Sequence, residues 1–349
     1  MEQGATMVDA RATLMASEAR EAADAVRRLL ADNASTLTVL GETLRANPPK
    51  VVVTCARGSS DHAATYGKYL IETLVGVPVS SAAPSVASIF TAPVAPGDFL
   101  CIATSQSGRS PDLLETVRAQ KAAGAHVVAL VNDEGSPLAG LADTLIGLKA
   151  GPETSVAATK SYIASLAGLA AIVAAWSQDA ALGDALAALP AGLERARDLN
   201  WSAAKDALVD ARNLFVIGRG YSLGIAQEAA LKFKETCGLH AEAFSAAEVR
   251  HGPMAIVGKD FPVLGFATSD AAGDSVREAA VEFAGRDARV CLADAQAGEA
   301  ATLPAIAGHP AVEPILMVQS FYLMTNALAV ARGFDPDRPQ HLRKVTETR

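Results

Sequence analysis

Two stretches of this chain carry residue types suited to chemistry. The first is Ser105-Gln106-Ser107-Gly108-Arg109-Ser110-Pro111. It follows the apolar run Phe99–Thr104, which reads as a buried strand, and precedes Asp112-Leu-Leu-Glu-Thr-Val-Arg, which reads as a helix. Hydroxyls, a side-chain amide and backbone N–H groups at a strand-to-helix turn make a cradle of hydrogen-bond donors. The positive end of the helix dipole adds to it, so the turn suits a dianion such as phosphate without any basic cluster. Ser110 stands where an N-cap would, and Pro111 fits the first helical position, where no N–H is needed. A Ser-rich capped turn with no ligand uses the same residues, and the loop alone leaves both readings open.

The second stretch is Gln227-Glu-Ala-Ala-Leu-Lys-Phe-Lys-Glu-Thr-Cys. Glu228, Lys232 and Glu235 fall at i, i+4 and i+7, on one helical face. On an ordinary helix this is a solvated face with one ion pair. Here the helix begins beside Gly218-Arg-Gly-Tyr-Ser, at the carboxyl end of a predicted strand, where ligands of open parallel sheets gather. A lysine and a glutamate side by side at such a place suit moving a proton on a carbon next to a carbonyl or imine. His251, in Glu248-Val-Arg-His-Gly-Pro-Met, sits in a turn and reads equally as structural or catalytic. The C-terminal stretch from Asp337 lacks periodicity. It reads as a frayed basic tail, or as a tail that folds over a site and delivers Lys344. Gly218-x-Gly220-x-x-x-Gly224 comes near a dinucleotide fingerprint, but Leu223 holds the place of the third glycine, so no nicotinamide or flavin cofactor is expected.

The elements that must position these groups alternate. Residues 8–46 read as helices, with breaks near Asn33 and Asn47-Pro-Pro. Strands are predicted at 51–55, from Val77, at 99–104, 127–131 and 145–148, with helices at 62–75, 111–123 and about 158–176. Such alternation implies an α/β fold with a parallel sheet covered on both faces. The second half repeats the order. Asn213–Ser222 answers Val51–Ser60, and Ala267-Thr-Ser269 answers Ala103-Thr-Ser105, so a whole domain is duplicated. The copies differ at the loop: Ser269-Asp-Ala-Ala-Gly273, with an acidic Asp270, makes a poor phosphate cradle. The expected organisation is a helical leader at 1–46, domains at 47–178 and 200–335, and a C-terminal tail at 336–349 over the active site. The segment Ser177–Leu199 connects the domains, helical on either side of Pro190.

The 349 residues suffice for two domains, and half of them are hydrophobic. A net charge of −8 argues against a nucleic-acid surface. Cys55, Cys101, Cys237 and Cys291 form no CxxC pair and read as small core residues of a cytosolic protein, not as a disulfide or metal set. The N-terminus shows no signal-peptide pattern, and the Ala-rich stretch 162–176 is too short to span a bilayer. A cytoplasmic protein without membrane contact is expected.

Taken together, the Ser-Gln-Ser-Gly loop, the Ala-Leu-Lys-x-Lys-Glu helix, the His-Gly-Pro turn and a lysine near the C-terminus resemble the tandem sugar-isomerase (SIS) domain family. The set is similar to the isomerase half of glutamine–fructose-6-phosphate aminotransferase and to SIS-type glucosamine-6-phosphate deaminases, over about residues 30–349. The resemblance implies two flavodoxin-like domains, each with a parallel five-stranded sheet. It implies a hexosamine 6-phosphate or fructose 6-phosphate as substrate and neither cofactor nor metal. By motif, Ser60, Ser105, Gln106, Ser107 and Ser110 would hold the phosphate, while Val156, Ala158, Thr159 and Glu228 would touch the sugar. Glu235 would carry the proton between carbons 1 and 2, Lys232 would assist at the carbon-1 hydroxyl, and His251 would open the ring. In the family this histidine comes from the neighbouring subunit, which implies a homodimer. Lys344 matches a lysine that forms an imine with the ketose. Departures from the aminotransferase pattern are Arg57-Gly-Ser-Ser60, Arg109-Ser110, Ala158 in place of serine, and Glu2 with a leader too short for a glutaminase domain. They tilt the expectation towards a deaminase converting glucosamine 6-phosphate to fructose 6-phosphate and ammonia. The alternatives are an aminotransferase-like isomerase, a deaminase of another hexosamine 6-phosphate, and a non-catalytic sugar-phosphate sensor.

Overall fold

The computed structural model describes residues 9–10, 12–298 and 302–344. Three helices come first: α1 (Leu14–Arg20), α2 (Ala22–Asp32) and α3 (Ala34–Ala46). Then β1 (Val52–Cys55), α4 (Ser59–Leu74), β2 (Val79–Ser81), α5 (Pro84–Ser88), β3 (Leu100–Ser105), α6 (Pro111–Ala122), β4 (His126–Val131), α7 (Pro137–Leu141) and β5 (Thr144–Gly147) alternate. Helices α8 (Lys160–Ser177), α9 (Ala180–Ala196) and α10 (Ser202–Leu208) lead to the second series. It runs β6 (Asn213–Gly218), α11 (Leu223–Cys237), β7 (His240–Ser245), β8 (Pro262–Ala267), α12 (Ala271–Ala284), β9 (Arg289–Asp294) and α13 (Glu313–Ala331).

These elements form two compact units. The first comprises Ala22–Pro152 and Lys160–Ala191; the second gathers the chain through Glu21, Glu153–Thr159 and Gly192–Lys344. Thus α1 groups with the second unit, α2 and α3 with the first. The connection is one helix, α9, that runs through Pro190 instead of breaking there.

The sheet of the first unit is parallel, in the order β2-β1-β3-β4-β5. Every residue of β3 is buried, which is why its sequence is a continuous apolar run rather than an alternating one. Cys55, Cys101, Ala103, Val117, Val127 and Val131 lie together in the core on one side. The order 2-1-3-4-5 reverses direction between β1 and β3, and loops at that switch point bound the usual ligand crevice of such sheets. Both the Arg57–Ser60 turn and the Ser105–Ser110 loop leave their strands at this edge.

In the second unit the parallel sheet has the order β7-β6-β8-β9, the same as the first four positions of its twin. The expected fifth strand is not formed among the described residues. Leu303 makes a single bridge to Ala293, one residue's worth of pairing and too little for a strand. Gly238 ends α11 in a left-handed conformation (φ 57°), its N–H bonded to the Phe233 carbonyl. A Cβ there would strike the Phe334 ring.

Helix α8 runs 18 residues, three more than the stretch judged too short to span a bilayer, and by length and composition alone it could do so; α13, at 19 residues, passes the same test. Both are core helices. α8 packs on α2, α3 and α4, and α13 on α1, α10 and α11, so 83% and 78% of them lie inside the protein. All four cysteines are free and buried. Burial pushes the Cys237 and Cys291 thiols up to about 11. The Cys101 thiol is raised by its hydrogen bond with Cys55 and by burial. Cys101, Cys237 and Cys291 are therefore not ready thiolates at neutral pH.

Candidate functional site

In the first unit the loop after β3 is built around Gly108. Its φ of 63° is left-handed, and a Cβ there would lie 2.2 Å from Ser136 Oγ, so only glycine closes this turn. Ser105 accepts a hydrogen bond from the Gly108 N–H at 2.9 Å, which folds the loop back on the strand end. Ser110 occupies the N-cap position of α6 with Pro111 behind it, but its hydroxyl makes no capping bond. That hydroxyl is left uncommitted to capping, while in the first turn of α6 Pro111 has no N–H and the Leu113 N–H is taken by the Asp112 carboxylate at 2.8 Å, so Ser110 is the donor the turn keeps for an external anion. Ser60 lies in the first turn of α4, whose N-cap Gly58 is also left-handed (φ 54°).

A pair that sequence spacing did not reveal joins the two turns. Asp112 is fully buried at the start of α6 and accepts hydrogen bonds from Arg57 through Nε at 2.8 Å and through Nη2. Arg57 and Asp112 stand 55 residues apart, so no local pattern announces them; the signal available was an arginine directly after β1 and an acid directly after Pro111. Arg109, whose charge seemed to alter the loop, is instead spent on Asp133 at 2.7 Å across half-exposed surface. The hydrogen bond from Arg109 holds the Asp133 carboxyl below its ordinary value.

In the second unit the Glu228–Lys232–Glu235 face of α11 is not the solvated face of an ordinary helix. The Lys232 side chain is 1% exposed, Glu228 0% and Glu235 21%. Lys232 Nζ lies 3.1 Å from Glu228 Oε1 and 2.7 Å from Glu235 Oε2. Tyr322 of α13 donates its hydroxyl to Glu228 at 2.9 Å, a partner 94 residues away and illegible in the local pattern. Burial favours a neutral Lys232, but the two carboxylates outweigh it and hold the ammonium above its ordinary range. Lys232 is therefore a fixed cation rather than a base. Of the three side chains, Glu235 alone keeps appreciable exposure. Glu228, expected at the sugar, is enclosed and engaged with Lys232 and Tyr322.

The segment Glu153–Thr159 belongs to the same unit. Glu18 of α1 accepts the Ser155 N–H at 3.2 Å. Glu153, whose side chain is fully buried, accepts the Thr159 N–H at 3.0 Å. Lys344 Nζ donates to Glu153 Oε2 at 3.2 Å and to the Ser155 carbonyl at 2.8 Å. The Ser155 and Thr159 hydroxyls are buried without a partner among the described residues. Val156 and Ala158 are half-buried between them. Sequence reading missed Glu18 and Glu153, since acids in unpatterned loops carry no periodic signal. His251 is exposed after the short turn Glu248–Arg250, with its backbone N–H on the Glu248 carbonyl. The glycine-rich turn after β6 is closed on itself. Arg219 N–H bonds to Ser222 Oγ at 3.0 Å, and a Cβ at Gly218 would meet the Ser222 carbonyl. Among the described residues no group of three or more His, Cys, Asp or Glu side chains converges as a metal-binding set.

Both halves of this architecture match one family model, the SIS domain, at residues 47–175 and 207–332. The chain belongs to the SIS domain family. It is 36% identical over 308 residues to glutamine–fructose-6-phosphate aminotransferase [isomerizing] of Aeropyrum pernix, covering 82% of this chain and 49% of that protein. The chain thus spans about half the length of the curated relatives it matches. Its fold superposes on a candidate phosphosugar isomerase from Silicibacter pomeroyi with a TM-score of 0.88 at 44% identity, over 93% of this chain and all of the other. It also superposes on the C-terminal domain of glucosamine-fructose-6-phosphate aminotransferase from Francisella tularensis, with a TM-score of 0.83 at 26% identity, over 95% and 100% of the two chains.

Proposed function

We propose that this protein is a hexosamine-6-phosphate isomerase of the deaminating type, taking glucosamine 6-phosphate to fructose 6-phosphate and ammonia. The observation that carries the reading is the α11 cluster: a buried lysine locked as a cation between two carboxylates, of which only Glu235 is open to a substrate. Ser60, Ser105, Gln106, Ser107 and Ser110 take the phosphate. His251, supplied from a second subunit in a homodimer, opens the sugar ring. Glu235 removes the carbon-2 proton of the open 2-amino-aldehyde, and the Lys232 ammonium stabilises the negative charge that develops on the carbon-1 oxygen. Glu235 returns the proton to carbon 1, leaving a carbon-2 imine. Water adds to the imine and ammonia leaves, giving the ketose. In the reverse sense Lys344 forms an imine with the ketose. Val156, Ala158 and Thr159 line the sugar, and Glu228 acts through Lys232.

The identity with aminotransferases supports the same isomerisation chemistry run towards the amino sugar, with ammonia brought from elsewhere. One experiment separates these. The purified chain is given glucosamine 6-phosphate, galactosamine 6-phosphate, or fructose 6-phosphate with ammonium, and ammonia and sugar products are measured in deuterated water. Ammonia release with deuterium entering carbon 1 is expected with glucosamine 6-phosphate. No release and no exchange with any of them would overturn the isomerase reading and leave a sensor.

A further inference from the structure

Among the described residues of the second unit, four acidic side chains are buried outside the α11 cluster: Glu18, Glu153, Asp294 and Glu313. Glu18 and Glu313 accept backbone N–H groups, and Asp294 pairs with Arg277. Glu153 alone meets a lysine of the C-terminal segment. Among its partners, one carboxylate oxygen takes the Thr159 N–H and the other the Lys344 ammonium. A buried carboxylate is costly unless paired, and Lys344 forms an ion pair with it at 3.2 Å. The ammonium also holds the Ser155 carbonyl, so the tail is stapled to the very segment whose Ser155 and Thr159 hydroxyls are buried without a partner among the described residues. Polar groups of a bound sugar are the partners those hydroxyls lack.

We infer that Glu153 is the positioning residue for Lys344 and the acceptor of its proton. The inference rests on the proposed function for its second half, since it assigns how Lys344 becomes a nucleophile. An ammonium cannot attack a carbonyl. Glu153, at hydrogen-bond distance, takes one proton from Lys344. The free amine adds to the ketose carbonyl, forming the C–N bond. The proton on Glu153 goes to the carbinolamine hydroxyl, which leaves as water with the C–O bond broken. The product is a protonated imine, and the carboxylate is regenerated.

Two measurements on the full chain test this, using Glu153→Gln and Glu153→Asp. The first needs no substrate: acetylation of each lysine by a small amine-reactive ester, followed by mass spectrometry. Lys344 should be modified about tenfold faster in Glu153→Gln and at an intermediate rate in Glu153→Asp, with Lys259 unchanged as an internal standard. The second is borohydride trapping with fructose 6-phosphate. Wild type should yield a reduced hexose-phosphate adduct on Lys344. In Glu153→Gln trapping should be about tenfold slower at pH 7, the deficit shrinking as rising pH frees the amine directly. An unchanged Lys344 acetylation rate in a folded Glu153→Gln chain would overturn the positioning role. A trapping deficit equal at every pH would overturn the proton transfer. A wild-type chain that releases ammonia from glucosamine 6-phosphate but traps no adduct would overturn the proton transfer while leaving the proposed function standing. No ammonia and no adduct, with Lys344 still protected by Glu153, would overturn the function and the proton transfer but support the staple.

Discussion

The turn after β3 and the turn after β8 hold the same place in two sheets of the same order, yet their donors are spent differently. At Ser105–Ser110 the N-cap serine leaves its hydroxyl uncommitted to capping; within the loop Ser105 accepts the Gly108 N–H and Ser107 the Arg109 N–H, and Asp112 takes the Leu113 N–H behind it. At Ser269–Gly273 the N-cap is Asp270, whose carboxylate accepts from the Gly273 N–H at 3.1 Å and from the Thr268 hydroxyl at 2.6 Å. A second carboxylate, Glu313 at 0% exposure, accepts the Ser269 N–H at 2.7 Å. The protein has filled the second cradle with its own anions. An incoming phosphate would find its donors taken and two negative charges in the way. Anion binding at a strand-to-helix turn is therefore decided by which donors the protein leaves open, not by the topology that presents them.

The largest effect should come from making the first loop like the second. Ser110→Asp places a capping carboxylate at the head of α6, as Asp270 does for α12. Helix capping by aspartate is as good as by serine or better, so the melting temperature should hold or rise. Sugar-phosphate affinity should fall about 100-fold or more, roughly 2.7 kcal/mol, because a carboxylate then stands against a dianion. Calorimetric titration with fructose 6-phosphate checks the affinity and thermal scanning the stability. Retained affinity would mean that the phosphate does not sit at this turn.

Arg57→Ala tests what the second loop does without. It takes the guanidinium away from the buried Asp112 carboxylate. Breaking a buried pair costs up to 3–5 kcal/mol, and about 2–3 is expected here because the Arg57 side chain is half exposed. Denaturant unfolding measures it. Arg57→Ala should also raise the Michaelis constant, since the β1–α4 turn is no longer tied to α6, and adding Asp112→Asn should recover part of the stability loss without lowering that constant again. A smaller loss, about 1 kcal/mol, is expected from Asp270→Ala, which removes only a cap and a short hydrogen bond.

Much of this contrast was legible in the chain. The duplication, the strand ends, the helix starts and the acidic residue in the second loop are local patterns, and they placed both turns correctly. Glu313 was not legible, being 44 residues from Ser269 and brought there only by α13. The same holds for Arg57 with Asp112, Tyr322 with Glu228, and Glu153 with Lys344, which lie 55, 94 and 191 residues apart. Periodicity put Glu228, Lys232 and Glu235 on one face but could not say whether that face meets water or another helix, because α13 decides it. The weak end of the second sheet was misjudged for a related reason: the copies share strand order, but among the described residues the edge position holds the Leu303 bridge and no strand.

The smallest effect concerns Arg109 and Asp133, the exposed pair that the first loop has and whose charge seemed to bear on the phosphate. The pair lies on half-exposed surface, so its contribution is small and screened by salt. The sign follows from the Asp133 carboxyl, which the Arg109 hydrogen bond holds below its ordinary 3.8 in the folded chain. A depressed carboxyl contributes stability that is present above pH 3.8 and is lost as pH falls below it, when the folded state must take up the proton. Wild type and Arg109→Ala should therefore differ slightly in melting temperature at neutral pH and converge in acid below that value. At neutral pH sugar-phosphate affinity should be nearly equal in the two. A large loss of affinity in Arg109→Ala would show that the guanidinium leaves Asp133 for the ligand, and the first loop would then bind its anion by charge as well as by open donors.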